Sequence, residues 1–181
     1  MKSLTSAICL GVFLVLPSAA AAQSVFISEI LVGNDRSYCD SFGDDPDWIE
    51  LFNPSDTAVN LGGWYLTDDP KEIPHRWMFP PDVVIQPHSY LLVFVKNKKV
   101  ENRTRTDGKN LHISNFRLDA RKGEVIALLS SKDVEVHRIR FGKQSRDVSL
   151  GTSDRSEPAV PQKWPTPGAP NNGPKPPNRC P

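Results

Sequence analysis

Short runs of branched and aromatic residues recur along this chain, each stopped by residues that reverse the backbone. The runs are 25–32, 48–52, 64–66, 76–79, 83–85, 90–95, 111–118, 125–129 and 134–141. Val, Ile, Phe, Tyr and Trp suit a pleated backbone, where their side chains pack against cross-strand neighbours. Between the runs stand Asn53-Pro54-Ser55-Asp56, Gly62-Gly63, Asp68-Asp69-Pro70, Pro80-Pro81-Asp82 and Lys122-Gly123. These supply fixed or positive φ and local side-chain hydrogen bonds for turning the chain. No stretch beyond the N-terminal segment repeats apolar residues at i, i+3, i+4 and i+7 over three turns, the spacing a long amphipathic helix needs. About nine short strands at this spacing predict an all-β sandwich or barrel.

Two runs say where strands sit. In Trp48-Ile49-Glu50-Leu51-Phe52 the pleat sends Ile49 and Leu51 to one face and Trp48, Glu50 and Phe52 to the other. A glutamate in such a run is expected to be solvated or paired. Tyr90 to Val95 is apolar on both faces, which predicts a central strand with core on one side and a neighbour or loop on the other.

The chain begins with Met1-Lys2, an apolar run from Leu4 to Leu16, then Pro17 and the small residues Ala19 to Ala22. This order of charged, apolar and small residues predicts a secretory leader, residues 1–22, cut after Ala22. The 13-residue run is short of the roughly 20 residues a helix needs to span a bilayer, so no stable membrane span is expected after cleavage. The remaining 159 residues suit one domain, 23–157, followed by a proline-rich extension, 158–181, packed on or tethered to it. Export leads to a secreted or periplasmic location, where disulfides persist. Cys39 and Cys180 are the cysteines left after cleavage, and one intrachain pairing is open to them. Charge is segregated: residues 23–95 hold twelve acids and three bases, residues 96–181 nine acids and eighteen bases. In an interleaved sandwich such halves neutralise one another across neighbouring strands.

The ordered motifs resemble the lamin tail domain family. Five stretches carry the resemblance: Ile27-Ser28-Glu29-Ile30; Asp47-Trp48-Ile49-Glu50-Leu51-Phe52-Asn53-Pro54 with Leu61-Gly62-Gly63-Trp64-Tyr65-Leu66; Trp77-Met78-Phe79-Pro80-Pro81 with Tyr90 to Phe94; Gly123 to Leu128; and Pro165-Thr166-Pro167-Gly168-Ala169-Pro170-Asn171. The resemblance implies an immunoglobulin-like β-sandwich that serves as an adaptor, with no catalytic residues in the family pattern. It also implies protein partners and, as in nuclear lamins, nucleic acid. The sequence departs from the lamins in showing no coiled-coil rod and no attached enzyme, so a filament-forming role is not expected. Trp48, Trp64, Trp77 and Phe79 are expected in the core or packed at its edges.

Chemistry-bearing residues are few. His75, His88, His112 and His137 stand in no hydrolase signature and are expected at satisfied surface positions. His-Glu-x-x-His is absent, and two distant cysteines supply no local zinc clamp. No catalytic site, and no cofactor other than calcium, is expected. Asp40, Asp44, Asp45 and Asp47 concentrate hard oxygen ligands of the kind calcium takes, on a spacing that is not an EF-hand loop. Lys96, Lys98, Lys99, Arg103 and Arg105 form a basic segment able to meet a phosphate polymer by charge and counterion release. Asn102-Arg103-Thr104 fits a glycosylation sequon. Together these readings predict a non-enzymatic binding or adaptor module with a protein, envelope or polymer partner. Its rivals are a calcium-stabilised structural domain and a DNA binder.

Overall fold

The computed structural model describes residues 25–95, 117–177 and Cys180, with the backbone alone of 105–106 and 111–113. The expected leader, the sequon at Asn102 and the bases Lys96, Lys98, Lys99 and Arg103 lie outside the described residues. No helix occurs among those described, and so none is long and apolar enough to cross a membrane.

Among the described residues thirteen strands follow in order: β1 (Phe26–Leu31), β2 (Asp47–Asn53), β3 (Val59–Asn60), β4 (Tyr65–Thr67), β5 (Trp77–Met78), β6 (Val84–Ile85), β7 (Ser89–Val95), β8 (Arg105–Thr106), β9 (Leu111–Ile113), β10 (Glu124–Leu129), β11 (Glu135–Phe141), β12 (Leu150–Gly151) and β13 (Val160–Pro161). Each of the nine predicted runs overlaps one of them. The other four, β3, β8, β12 and β13, are two residues long, too short for a periodic signal. The run predicted over 111–118 is strand only at 111–113; residues 114–116 are not described, and Arg117 and Leu118 lie outside any strand.

Seven strands form one sheet in the order β13-β12-β1-β2-β7-β9-β8, and four form the second in the order β11-β10-β4-β5. β3 and β6 make a small ribbon. Pairing is antiparallel except between β7 and β9. The main core lies between the sheets. Ile27, Ile49, Leu51, Leu91 and Val93 from the larger sheet meet Leu66, Ile126, Leu128, Val136 and Ile139 from the smaller. Trp64, Trp77 and Phe79 join this core, with the Trp77 and Phe79 rings edge to face at 4.5 Å. The expected sandwich is therefore present, and its aromatic residues pack inside it.

A β-bulge in β1 fixes which side chains face out. Leu51 pairs with Ile27 and Glu50 with Glu29, so Ser28 is the extra residue and the pleat resets there. Ile27 and Ile30, three apart, thus both enter the core, and Glu29 points outward beside Glu50. The outer face of the large sheet carries three cross-strand rows: Phe26, Phe52 and Tyr90; then Glu29, Glu50 and Leu92; then Leu31, Trp48 and Phe94. Tyr38 from the 33–46 loop stacks on Phe94 and closes the third row as a second apolar cluster with Leu31, Trp48 and Leu92. β7 is thus covered on both faces, as its sequence predicts.

Candidate functional site

Two acidic regions stand out, one sealed and one open. The sealed region is the middle row of the outer face. Glu29 and Glu50 are fully buried, so of the two alternatives expected at position 50, solvated or paired, water is excluded and hydrogen-bond partners take its place. Burying a carboxylate is costly unless donors surround it, and here the proline-rich segment brings them. Thr166 donates its N–H to Glu29 Oε1 at 3.1 Å and its hydroxyl to Glu29 Oε2 at 2.9 Å, and the Ser149 hydroxyl also donates to Oε1. Gly168 N–H donates to Glu50 Oε2 at 2.6 Å and Ser28 Oγ to Oε1 at 2.7 Å.

The local sequence is made for this clasp. Thr166-Pro167-Gly168-Ala169 forms a turn closed by Ala169 N–H to Thr166 C=O at 3.0 Å. Proline fixes the second position and Gly168, at φ 78°, takes the third. Asn171 then donates to the carbonyls of Ser28 and Thr152, at 2.9 and 2.8 Å. It passes so close to Gly151 that a Cβ there would lie 2.3 Å from Asn171 Oδ1. β13 and the Cys39–Cys180 disulfide fasten the rest of the segment, joining the pair that the cysteine count predicts.

Burial pushes both carboxyls above the ordinary carboxylate range. For Glu29 the Ser149 and Thr166 hydrogen bonds oppose the rise; for Glu50 the Gly168 and Ser28 bonds oppose it, and the adjacent Glu29 charge adds to it. Burial and the same two charges push the Tyr90 hydroxyl up to about 12. Sequence reasoning missed Glu29, Ser149, Thr166 and Asn171 as a unit. The available signal was a charge or amide inside each of three motifs whose other residues are apolar or turn-forming.

The open region lies where strands β1, β2 and β7 meet their loops. A cleft of about 530 Å³ opens there, and its lining includes Asp44, Asp45 and Asp47 together with Arg117, Asp119 and Arg121. Asp47 and Asp40 are engaged with their own backbone. Asp47 Oδ1 accepts from Gly33 and Asn34 N–H at 2.7 and 3.0 Å, and Asp40 Oδ1 from Phe42 and Asp44 N–H at 2.9 and 3.0 Å. Burial raises the Asp47 carboxyl against those two bonds, and the Asp45 charge adds to the rise. Asp44 and Asp45 are exposed on the rim. In the same lining Asp119 accepts from the Arg121 backbone and guanidinium, at 2.9 and 3.3 Å, and these bonds hold its carboxyl below the usual range.

Of the predicted acidic set, Asp44, Asp45 and Asp47 line this cleft and Asp40 stays in the turn behind it. No group of three or more metal-ligating side chains gathers among the described residues. Val95, the last residue of β7, is part of the cleft wall, and the predicted basic segment starts at the next residue. Arg105 opens β8.

The histidines divide. His75 pairs with Asp133 at 2.5 Å and His88 with Asp56 at 2.8 Å, both exposed, as the sequence predicts. His137 differs: it is partly buried, and its Nδ1 accepts the Ile27 N–H at 3.3 Å. The side chain of His112, on β9, lies outside the described residues.

No curated protein matches the chain significantly. Among known families, that described as Lamin Tail Domain matches residues 18–143, a span that takes in both glutamates of the clasp and the lining of the open cleft. With its all-β sandwich and its match over more than half of its length, the chain belongs to the lamin tail domain family, whose fold is immunoglobulin-like and non-catalytic.

Proposed function

We propose that this chain is an exported binding module that holds a protein or envelope partner in the cleft at the loop end of its sandwich. The observation that carries the reading is the make-up of that cleft. Carboxylates and guanidiniums lining about 530 Å³ of open space together offer a partner charge of both signs. Loops on a rigid sandwich are where such domains vary their recognition, and the caps on Asp40 and Asp47 hold the 33–47 loop in shape before a partner arrives. The leader-like segment 1–22 and the Cys39–Cys180 bridge support an oxidising destination.

The chain lacking residues 1–22 serves as bait against the envelope and secreted fractions of its host, beside Asp44→Lys/Asp45→Lys and Arg117→Glu/Arg121→Glu. A component held by the wild type and lost with both reversals, which keep the wild-type melting temperature, supports the cleft. Equal retention by all three baits overturns it. Two outcomes would reassign the function. Duplex DNA binding that collapses between low and moderate salt would move it to Lys96, Lys98, Lys99, Arg103 and Arg105. A melting temperature raised by calcium and restored by chelator would make Asp44 and Asp45 metal ligands.

A further inference from the structure

A second groove lies on the smaller sheet, away from the loop-end cleft, and does not depend on the reading above. β11 is the terminal strand of that sheet and pairs with β10 alone. Among the described residues, the outward edge of Val136 to Phe141 makes no backbone hydrogen bond. A row of unused N–H and C=O groups is a template for another extended chain. Facing this edge is the segment 155–159, and the two enclose a groove of about 510 Å³. His137 sets the spacing: its ring accepts the Ile27 N–H and hydrogen-bonds the Arg155 backbone.

The charge of the groove selects the occupant. Arg138, Arg140 and Arg155 line it against a single acid, Glu157. Arg138 is held by Glu135. Arg140 is exposed and pairs with no described residue. Arg138 and Arg140 are two apart on one strand, so their side chains leave the same face about 7 Å apart. An added strand with acids at alternate positions presents carboxylates at the same spacing. A second copy of β11 fits poorly: antiparallel pairing centred on Arg138 would set arginine against arginine, and like charges directly opposite are destabilising.

We infer that the β11 edge is a docking groove for an extended acidic segment of a partner protein, one that adds as a further strand and sets alternate Asp or Glu side chains against Arg138 and Arg140. Main-chain bonds supply affinity in such additions and alternate side chains supply specificity.

The probe is a fluorescein-labelled nonapeptide alternating Glu and Thr, with an alternating Lys and Thr peptide as control, titrated by anisotropy into the disulfide-bonded chain lacking residues 1–22. The acidic peptide is expected to bind at least about tenfold more tightly than the basic one, and less tightly as salt rises. Arg140→Glu/Arg155→Glu should lower its affinity by about tenfold or more. Hydrogen exchange on the unaltered chain gives a readout that needs no variant: amides within 137–141 should gain protection from the acidic peptide. The inference is overturned if the two peptides bind alike, if neither binds, if the double reversal leaves affinity unchanged, or if protection appears away from β11. Failure to bind would leave the arginines as guards of a bare sheet edge, and dimerisation through β11 in place of peptide capture would equally count against the inference.

Discussion

The outer face and the loop end both concentrate carboxylates, and they treat them in opposite ways. Glu29 and Glu50 are shut away from water and take donors from Ser28, Ser149, Thr166 and Gly168. Asp44 and Asp45 stand in solvent on the rim of an open cleft. An unpaired buried charge destabilises by several kcal/mol, so the inner pair persists only because the tail completes its hydrogen bonds. A rim carboxylate is hydrated whether the chain is folded or not, and water still reaches it in the folded state. The difference teaches that acidic residues here report function only where water still reaches them.

The sharpest way to break the comparison is to cut what fastens both regions. Cys39 lies beside the acidic loop and Cys180 ends the described part of the tail. Replacing both with serine removes a crosslink between residues 141 positions apart. It should lower unfolding free energy in urea by up to about 5 kcal/mol on the chain-entropy account. A loss below about 1 kcal/mol would mean that the clasp alone holds the tail. Next in size, Glu50→Ala strands the Gly168 N–H, takes from the Ser28 hydroxyl the nearer of its two acceptors and should cost about 3 kcal/mol, whereas Asp45→Ala should stay within about 0.5 kcal/mol. Equal costs would erase the distinction between sealed and open carboxylates.

The smallest effect is in the pH dependence, and its sign is informative. Both clasp carboxyls lie above their ordinary value of 4.5 in the folded chain. The folded state therefore holds protons that the unfolded state has released, and the clasp's contribution is fullest below pH 4.5 and declines as pH rises above it. Measured as the stability difference between wild type and Glu50→Gln, the decline should be roughly 1 kcal/mol per pH unit for one proton. A difference that grows with pH would show that the donors outweigh burial.

The sandwich was legible because its signal is local. Nine runs of branched and aromatic residues became strands, and Trp64, Trp77 and Phe79 became core, since period-two alternation and turn residues act over a few positions. The clasp was not legible in the same way. Glu29 meets Thr166 across 137 residues and Glu50 meets Gly168 across 118, so neither neighbourhood reveals that a buried donor awaits it. Judged by its strand alone, Glu50 is solvated or paired. The open cleft was half legible: Asp44, Asp45 and Asp47 stand in one continuous segment, whereas Arg117, Asp119 and Arg121 arrive from a turn more than seventy residues away.

The clasp also sets the order of events in folding. A chain synthesised from its first residue presents β1 and β2 early, with two glutamates aimed at a face that nothing yet covers. The Thr166 and Gly168 donors emerge more than a hundred positions later, and loop closure over such a span is slow. Until Thr166 and Gly168 arrive, water hydrates the two carboxylates and the outer face of the large sheet stays open. Burial of the pair thus waits on the segment 165–171, and a product truncated before Pro165 keeps both acids in water.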